Sequence, residues 1–154
     1  MNIAYYDSPI GRLAIAGENG KITRLFFENA AVPAAYQEAE TPEIREAIRQ
    51  LREYFDGKRS AFDLPLAPKG TDFQRAVWAA LRAIPPGQTR SYGEIAAQIG
   101  NPKAQRAVGM ANNRNPLAIF IPCHRVLGAN GSLTGFAGGL AVKQYLLDLE
   151  KQYA

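Results

Sequence analysis

The sequence predicts a two-domain protein: an α/β N-terminal domain, made of a small antiparallel sheet plus a helix, and a mainly α C-terminal domain containing a winged-helix-like helix-turn-helix. Short apolar or alternating runs separated by turn residues fill the first 27 residues. Helix start signals recur after residue 70. Because the Pro- and Gly-containing stretch 65–70 separates the two patterns, we expect an N-terminal domain at residues 1–68 and a C-terminal domain at residues 69–154.

The first residues predict three antiparallel strands. Apolar residues there are continuous or alternate with polar ones, which is typical of half-buried strands. Asn19-Gly20 is a strong signal for a tight hairpin turn. Residues 30–40 show no clear period. The expected strands are residues 3–6, 12–16 and 22–27, with a further one offered by residues 60–64.

One helix is expected to cover a face of this sheet. It begins at Pro42, because Thr41 is a suitable cap and proline is favoured at the first helical position. Gly57 ends it. The apolar positions that recur on one face are Ile44, Ala47, Ile48, Leu51 and Phe55.

Helices dominate the second half of the chain. Two begin at capping boxes, residues 71–74 (Thr-Asp-Phe-Gln) and 91–94 (Ser-Tyr-Gly-Glu), whose cap and third helical residue satisfy each other's exposed amides. A third begins at Asn-Pro and occupies about residues 101–112. The tight turn around Gly100 joins the last two, as a helix-turn-helix requires. A closing helix is expected over about residues 140–152.

The only cysteine and the only histidine of the chain are neighbours, Cys123 and His124. A cysteine becomes a nucleophile as its thiolate, and a nearby base or positive charge such as His124 or Arg125 favours that form. Most free cysteines are small buried apolar residues, so the pair alone does not establish chemistry. One cysteine closes no disulfide within the chain, and one Cys with one His is too few for a structural zinc site.

Positive charge is concentrated in the second half. Residues 1–68 carry 8 Lys and Arg against 10 Asp and Glu, whereas residues 69–154 carry 10 against 4. No acidic residue lies between Glu94 and Asp148. A field of this sign attracts a polyanion such as DNA, although many proteins with other functions also have basic surfaces.

The segment from Ile121 to Val126, Ile-Pro-Cys-His-Arg-Val, resembles the active-site motif of the O6-alkylguanine-DNA alkyltransferases. These repair proteins move an alkyl group from guanine onto their own cysteine. The resemblance covers roughly residues 69–150 and is weak before them. The other matching motifs are Ser91-Tyr92-Gly93, Gly100-Asn101-Pro102-Lys103-Ala104, Arg106-Ala107-Val108-Gly109, Asn115-Pro116, Gly138-Gly139-Leu140-Ala141-Val142-Lys143 and Leu146-Leu147.

The resemblance implies that the helix after the tight turn docks in the minor groove of alkylated double-stranded DNA. Arg106 would enter the base stack in place of the extruded nucleotide, and Lys103 and Arg114 would contact phosphates. From the residues alone, a face of small side chains packs on the preceding helix or approaches DNA equally well. The residues of that face are Ala104, Ala107 and Ala111.

The resemblance also assigns the catalytic residues and the reaction. Cys123 would accept the alkyl group irreversibly in a single turnover, activated through a water molecule by His124, which Glu150 would orient. Tyr92 would offer its hydroxyl to guanine N3. Asn115 would tie the turn after the DNA-contacting helix to the active-site strand.

The pocket for the extruded base is implied to include Pro122, Val126, Phe136, Ala137 and Gly138. Many relatives have tyrosine and serine where this chain has Phe136 and Ala137, so two side-chain hydroxyls are missing. Packing of the ring against guanine should survive. Side-chain donation to O6 is lost, and we expect a narrowed or shifted substrate preference.

No cofactor, metal or obligate protein partner is expected. No apolar run approaches the roughly 20 residues that span a bilayer, and the N-terminus lacks the basic leader and apolar core of a secretory signal. We therefore expect no membrane association. A lone thiol agrees with a reducing cytoplasm.

Two other functions stay open. A papain-type hydrolase places its histidine about 130–150 residues after its cysteine. Only 31 residues follow Cys123, which excludes the papain arrangement but does not exclude an unrelated thiol enzyme that uses His124. The second alternative is a non-catalytic helix-turn-helix protein, either a regulator or a lesion sensor. Alkyltransferase-like sensors lack the reactive cysteine, which this chain keeps.

Overall fold

The structure is a computed structural model that describes residues 1–153. The chain forms two compact units, Met1–Pro68 and Lys69–Ala154. Within the described residues, no helix combines the length and the apolar character that crossing a membrane needs.

The first unit contains a four-stranded mixed sheet in the order β3-β2-β1-β4. Its strands are β1 (Asn2–Ser8), β2 (Gly11–Glu18), β3 (Lys21–Phe26) and β4 (Gln37–Glu38). The first three pair antiparallel, and the predicted Asn19-Gly20 turn joins β2 to β3 with both residues at positive φ. β4 pairs parallel with β1, so the expectation of a purely antiparallel sheet is wrong. The sequence did not predict β4, because its two residues are both exposed and show no alternation of apolar and polar side chains.

Helix α1 (Pro42–Phe55) buries its apolar face, as its spacing predicts. The side chain of Thr41 makes no capping hydrogen bond, so Pro42 is the signal that marks this start. The strand expected at residues 60–64 is absent from the described chain. Instead Ile22 donates to the carbonyl of Pro65 and accepts from the amide of Ala67, forming a single bridge at the sheet edge.

The second unit is mainly helical, with one two-stranded parallel pair. Its elements are α2 (Asp72–Arg82), β5 (Arg90–Ser91), α3 (Tyr92–Gln98), α4 (Gln105–Asn113), β6 (Val126–Leu127) and α5 (Leu140–Tyr153). Both predicted capping boxes form, since each cap hydroxyl and each third-residue side chain accepts from the other's amide. Helices α2, α3 and α4 pack against one another, which is consistent with a helix-turn-helix.

Helix α4 begins later than its sequence predicts. The amides of Gly100 and Asn101 donate to the carbonyls of Ala97 and Ala96, and Gly100 has a φ of 83°. These two hydrogen bonds form a Schellman motif that ends α3 at Gly100 and Asn101. The expectation that α4 starts at Asn101-Pro102 is therefore wrong. Its cap is Ala104.

Trp78 forms the centre of the helical packing in the second unit. Its indole Nε1 donates to the carbonyl of Ala111 on α4 over 2.9 Å. The ring also covers Gly70, where a Cβ atom would lie 2.5 Å from Cη2 of the indole. Glycine is therefore required at this position by a close approach of backbone and ring.

Candidate active site

Cys123 opens a 3-10 turn, Cys123–Arg125, where a strand was expected. A tight loop precedes it, in which Ile119 is buried with a φ of 75°. This left-handed conformation is unfavourable for a β-branched residue. Asn115 holds the loop: its Nδ2 donates to the carbonyl of Ile121 over 2.8 Å, and its Oδ1 accepts from the amide of Leu117 over 2.9 Å. The position of Cys123 is therefore fixed by a turn that the Asn115 side chain closes.

His124, Arg125 and Glu150 form a buried hydrogen-bonded cluster. His124 Nε2 lies 2.8 Å from Glu150 Oε2. Arg125 donates to both carboxylate oxygens, from Nε over 2.8 Å and from Nη2 over 2.7 Å. Its Nη1 donates to the carbonyl of Ile84 at the end of α2. One carboxylate on α5 thus fixes two consecutive side chains of the active-site turn.

The charges in this cluster follow from burial and hydrogen bonding. Burial opposes ionisation of Glu150, but hydrogen bonds from Arg125 and His124 outweigh it and lower the pKa of the carboxyl to about 2. Burial lowers the pKa of His124 more than Glu150 raises it. The imidazole is therefore neutral at pH 7 and donates its Nε2 hydrogen to Glu150.

The other ring nitrogen of His124, Nδ1, is buried and makes no hydrogen bond to any described residue. In this tautomer Nδ1 carries the lone pair. A buried acceptor without a partner costs free energy, and a function that needs the lone pair explains why such a group is kept. Nδ1 is thus a base available for a proton from outside the cluster.

The Cys123 thiol is neutral in the free protein. Its residue is 4% exposed, and burial raises the pKa of the thiol to about 11, an effect that Asn115 and the positive charge of Lys143 partly offset. Arg125 was expected to help activate the sulfur. Its guanidinium is instead engaged with Glu150, so that expectation is wrong.

Lys143 is the charged residue near the sulfur that the sequence analysis did not assign. It is buried on α5, and its Nζ donates to the carbonyls of Val126 and Thr134 over 2.7 and 3.1 Å. Burial lowers the pKa of Lys143, while Cys123 raises it. A lysine inside the matched motif 138–143 was the signal that could have identified it.

The loop between β6 and α5 contacts the first residue of α3. The Tyr92 hydroxyl is hydrogen-bonded to the Thr134 hydroxyl. Phe136 and Gly138 are half-buried, and Ala137 is exposed. Pro122 and Val126, the other two residues expected in the pocket, are buried beside Cys123 in sequence.

The predicted DNA-contacting residues separate into an exposed set and a buried one. Lys103, Arg106, Ala107 and Arg114 are exposed, and Ala104 is half-buried. Ala111 is 2% exposed and lies in the core, so its assignment to the DNA-facing side is wrong. That turn of α4 faces Trp78, whose indole Nε1 donates to the carbonyl of Ala111.

Met110, which the sequence analysis did not assign, is 57% exposed on α4. It follows Arg106 by four residues, and the two therefore share a face of the helix. Among the described residues, no group of three or more His, Cys, Asp or Glu side chains is placed to hold a metal ion.

Comparison with known proteins identifies the family. Residues 72–152 match the 6-O-methylguanine DNA methyltransferase, DNA binding domain, and residues 1–68 match the 6-O-methylguanine DNA methyltransferase, ribonuclease-like domain. The chain belongs to the 6-O-methylguanine DNA methyltransferase family. The resemblance drawn from the motifs is confirmed, and family membership extends through residues 1–68, where the motifs were weak.

Relatives in this family match nearly the whole chain. The methylated-DNA--protein-cysteine methyltransferase of Methanosarcina acetivorans is 54% identical over 97% of this chain and 98% of its own length. The constitutive methylated-DNA--protein-cysteine methyltransferase of Bacillus subtilis is 50% identical over 94% and 92%. A crystal structure of Mycobacterium tuberculosis OGT in complex with DNA has a TM-score of 0.94 and 48% identity, covering 100% of this chain and 95% of that one.

Proposed function

We propose that the protein repairs DNA by transferring the alkyl group of O6-alkylguanine in duplex DNA to Sγ of its own Cys123, once per molecule. The observation that carries the proposal is the buried Cys123 beside a neutral His124 whose Nδ1 has no partner among the described residues. Family membership supplies the substrate class, because relatives at about half identity are named methylated-DNA--protein-cysteine methyltransferases.

Activation of the sulfur begins with His124. With Nε2–H held by ionised Glu150, Nδ1 takes the thiol proton through a water molecule, and the imidazolium that forms is stabilised by the carboxylate. The positive charge of the Lys143 ammonium also favours the thiolate. This arrangement of nucleophile, base and orienting carboxylate overcomes the pKa of about 11 that burial gives the thiol.

The transfer is a displacement at the alkyl carbon. A bond forms between Sγ and that carbon as the bond to guanine O6 breaks, and both electrons of the broken bond stay on guanine. The proton taken up by His124 balances the negative charge that guanine carries away. The Tyr92 hydroxyl donates to guanine N3 and offsets part of that charge. The thioether is stable, so neither cofactor nor second nucleophile regenerates the protein.

The lesion reaches the sulfur only after the nucleotide leaves the duplex, because O6 of a stacked guanine is out of reach of a protein thiol. Helix α4 would lie in the minor groove, with Arg106 filling the gap in the stack and Lys103 and Arg114 on phosphates. The exposure of these three side chains supports this orientation. A groove with a degenerate hydrogen-bonding code suits repair without regard to sequence.

The proposed setting is the cytoplasm, without an obligate protein partner. Its reducing conditions keep a lone thiol in the reactive form. The units that the chain forms support a division in which residues 69–154 carry the chemistry and the DNA contacts, and residues 1–68 support them.

Intact-mass measurement tests the proposal. After incubation with a duplex containing O6-methylguanine, we expect a gain of one methyl group, located on Cys123, with no further turnover. A Cys123→Ala variant should bind the same duplex and gain no mass. An unchanged mass with retained binding would instead assign the wild-type protein as a lesion sensor.

A further inference from the structure

Thr134 joins two parts of the active site that are distant in sequence. Its hydroxyl is hydrogen-bonded to the Tyr92 hydroxyl at the start of α3. Its carbonyl accepts from Nζ of Lys143 over 3.1 Å, and the same ammonium donates to the carbonyl of Val126 over 2.7 Å. A buried cation therefore holds the backbone of Thr134 to the strand that follows the reactive turn.

We propose that Thr134 is a positioning residue for Tyr92, and that its hydroxyl donates to the phenol oxygen while the phenol donates to guanine N3. This inference rests on the proposed function and assigns Thr134 a role in that reaction. Thr134 itself does not touch the base. It acts on the transferred group only through the side chain of Tyr92.

The direction of the hydrogen bond follows from the number of hydrogens. Each hydroxyl carries one, and the hydrogen of Tyr92 is required by guanine. The phenol oxygen is then an acceptor towards Thr134, whose own hydrogen completes the bond. A hydroxyl that accepts a hydrogen bond becomes a better donor, because hydrogen bonds in a chain polarise one another.

Polarisation matters most when guanine departs. As the bond to O6 breaks, the electrons that stay on the base increase the negative charge near N3, and a strengthened phenol donor stabilises it. The phenol keeps its proton throughout. The effect therefore belongs to the transition state more than to DNA binding, and a rate constant should report it.

Two substitutions at this position test the proposal. Thr134→Val keeps the branched shape and removes the hydroxyl, whereas Thr134→Ser keeps the hydroxyl. In single-turnover methyl transfer from a duplex containing O6-methylguanine, we expect Thr134→Val to slow the reaction on the order of 10-fold, the effect of losing one ordinary hydrogen bond. Thr134→Ser should restore most of the rate, and affinity for the duplex should stay within about twofold for both.

A second background separates positioning from a structural role. In Tyr92→Phe protein, adding Thr134→Val should cause no further slowing. A second control uses a duplex that carries O6-methyl-3-deazaguanine, which lacks N3. On this substrate, Thr134→Val protein should react as fast as wild-type protein. Equal slowing in every case would assign Thr134 to loop structure and overturn the proposal. A faster Thr134→Val reaction would also overturn it, because Thr134 would then compete with guanine for Tyr92.

The same experiment distinguishes this inference from the proposed function. Wild-type protein that methylates Cys123 while Thr134→Val reacts at an unchanged rate would refute the role of Thr134 alone. Wild-type protein that leaves Cys123 unmodified would refute the proposed function and the inference with it.

Discussion

The Cys123 thiol is the proposed nucleophile, but its buried environment keeps it protonated. Burial raises the pKa of the thiol to about 11, so only a minute fraction is thiolate at pH 7 without help from His124. A low resting reactivity protects a residue that is used only once from wasteful oxidation and alkylation, since the thiolate is the reactive form.

The free protein should therefore react slowly with iodoacetamide at neutral pH. We expect the rate of Cys123 alkylation to rise with pH and to reach half of its maximum near pH 11, the pKa that burial gives the thiol. Because the chain has one cysteine, intact mass follows this single event. A rate already at its plateau at pH 7 would show that the sulfur is ionised without DNA.

Glu150 should make stability depend on pH in the acid range. Its folded pKa of about 2 lies below the ordinary value of 4.5 for a glutamate, so its contribution to stability is complete above about pH 4.5 and is lost as pH falls towards 2. A shift of this size corresponds to about 3 kcal/mol. Glu150→Gln should remove this dependence and, by leaving the Arg125 guanidinium buried without a counter-charge, destabilise the protein at pH 7 by about 3–5 kcal/mol.

Urea unfolding at pH 7 and at several values down to pH 2 measures both effects. The matched control is Asp148→Asn, which neutralises an exposed carboxylate on the same helix. The control should change stability at pH 7 by less than about 1 kcal/mol. An acid dependence of Glu150→Gln identical to that of wild type would contradict the assigned pKa.

At the scale of elements, helix starts that depend on neighbouring residues were predictable from the sequence, whereas strand pairing between distant residues was not. Both capping boxes, at Thr71 and Ser91, form because each closes within four residues. The parallel pairing of β4 depends on a partner some 35 residues away, which short-range periodicity cannot report.

Competition between signals explains the remaining errors. Asn101 could either end α3 or begin α4, and in the structure its amide ends α3. Periodicity placed Ala111 with the exposed alanines, but the indole of Trp78 decides which side of α4 is buried. In the site, the family resemblance pointed to Cys123 and Glu150, whereas the side-chain contact of Thr134 with Tyr92 follows from the path of a loop without regular structure.

Gly70→Ala tests the packing between α2 and the segment before it. The added Cβ would lie 2.5 Å from the indole of Trp78, so the ring or the backbone must shift. Overpacking of this kind costs about 1–3 kcal/mol. Thermal and urea unfolding should show that loss, whereas Lys69→Ala, an exposed neighbour, should behave as wild type. Equal stability of the two variants would mean that the ring moves freely.

At the scale of the whole molecule, charge is divided along the chain. The C-terminal part, residues 69–154, carries the excess of Lys and Arg, and the part before it has a small acidic excess. Affinity for duplex DNA should fall steeply with salt, as each released counterion contributes to the slope. In the proposed reaction, the protein thus binds DNA of any sequence by electrostatic attraction and discriminates the alkylated guanine only when the base is extruded.

Arg106→Ala should separate extrusion from chemistry. Repair of O6-methylguanine in a duplex should slow far more than reaction with the free base O6-benzylguanine, because only the duplex requires the nucleotide to be displaced from the stack. Arg82→Ala removes an exposed arginine from α2 and serves as the control for net charge. Equal losses on both substrates would give Arg106 a structural role.

Trp78 gives the protein an intrinsic optical reporter. It is the only tryptophan of the chain, and its indole nitrogen is tied to the backbone of the helix proposed to meet DNA. Any displacement of that helix on docking changes the hydrogen bond and hence the wavelength at which the indole emits. Stopped-flow fluorescence can then time DNA engagement in unlabelled protein, separately from the appearance of the thioether.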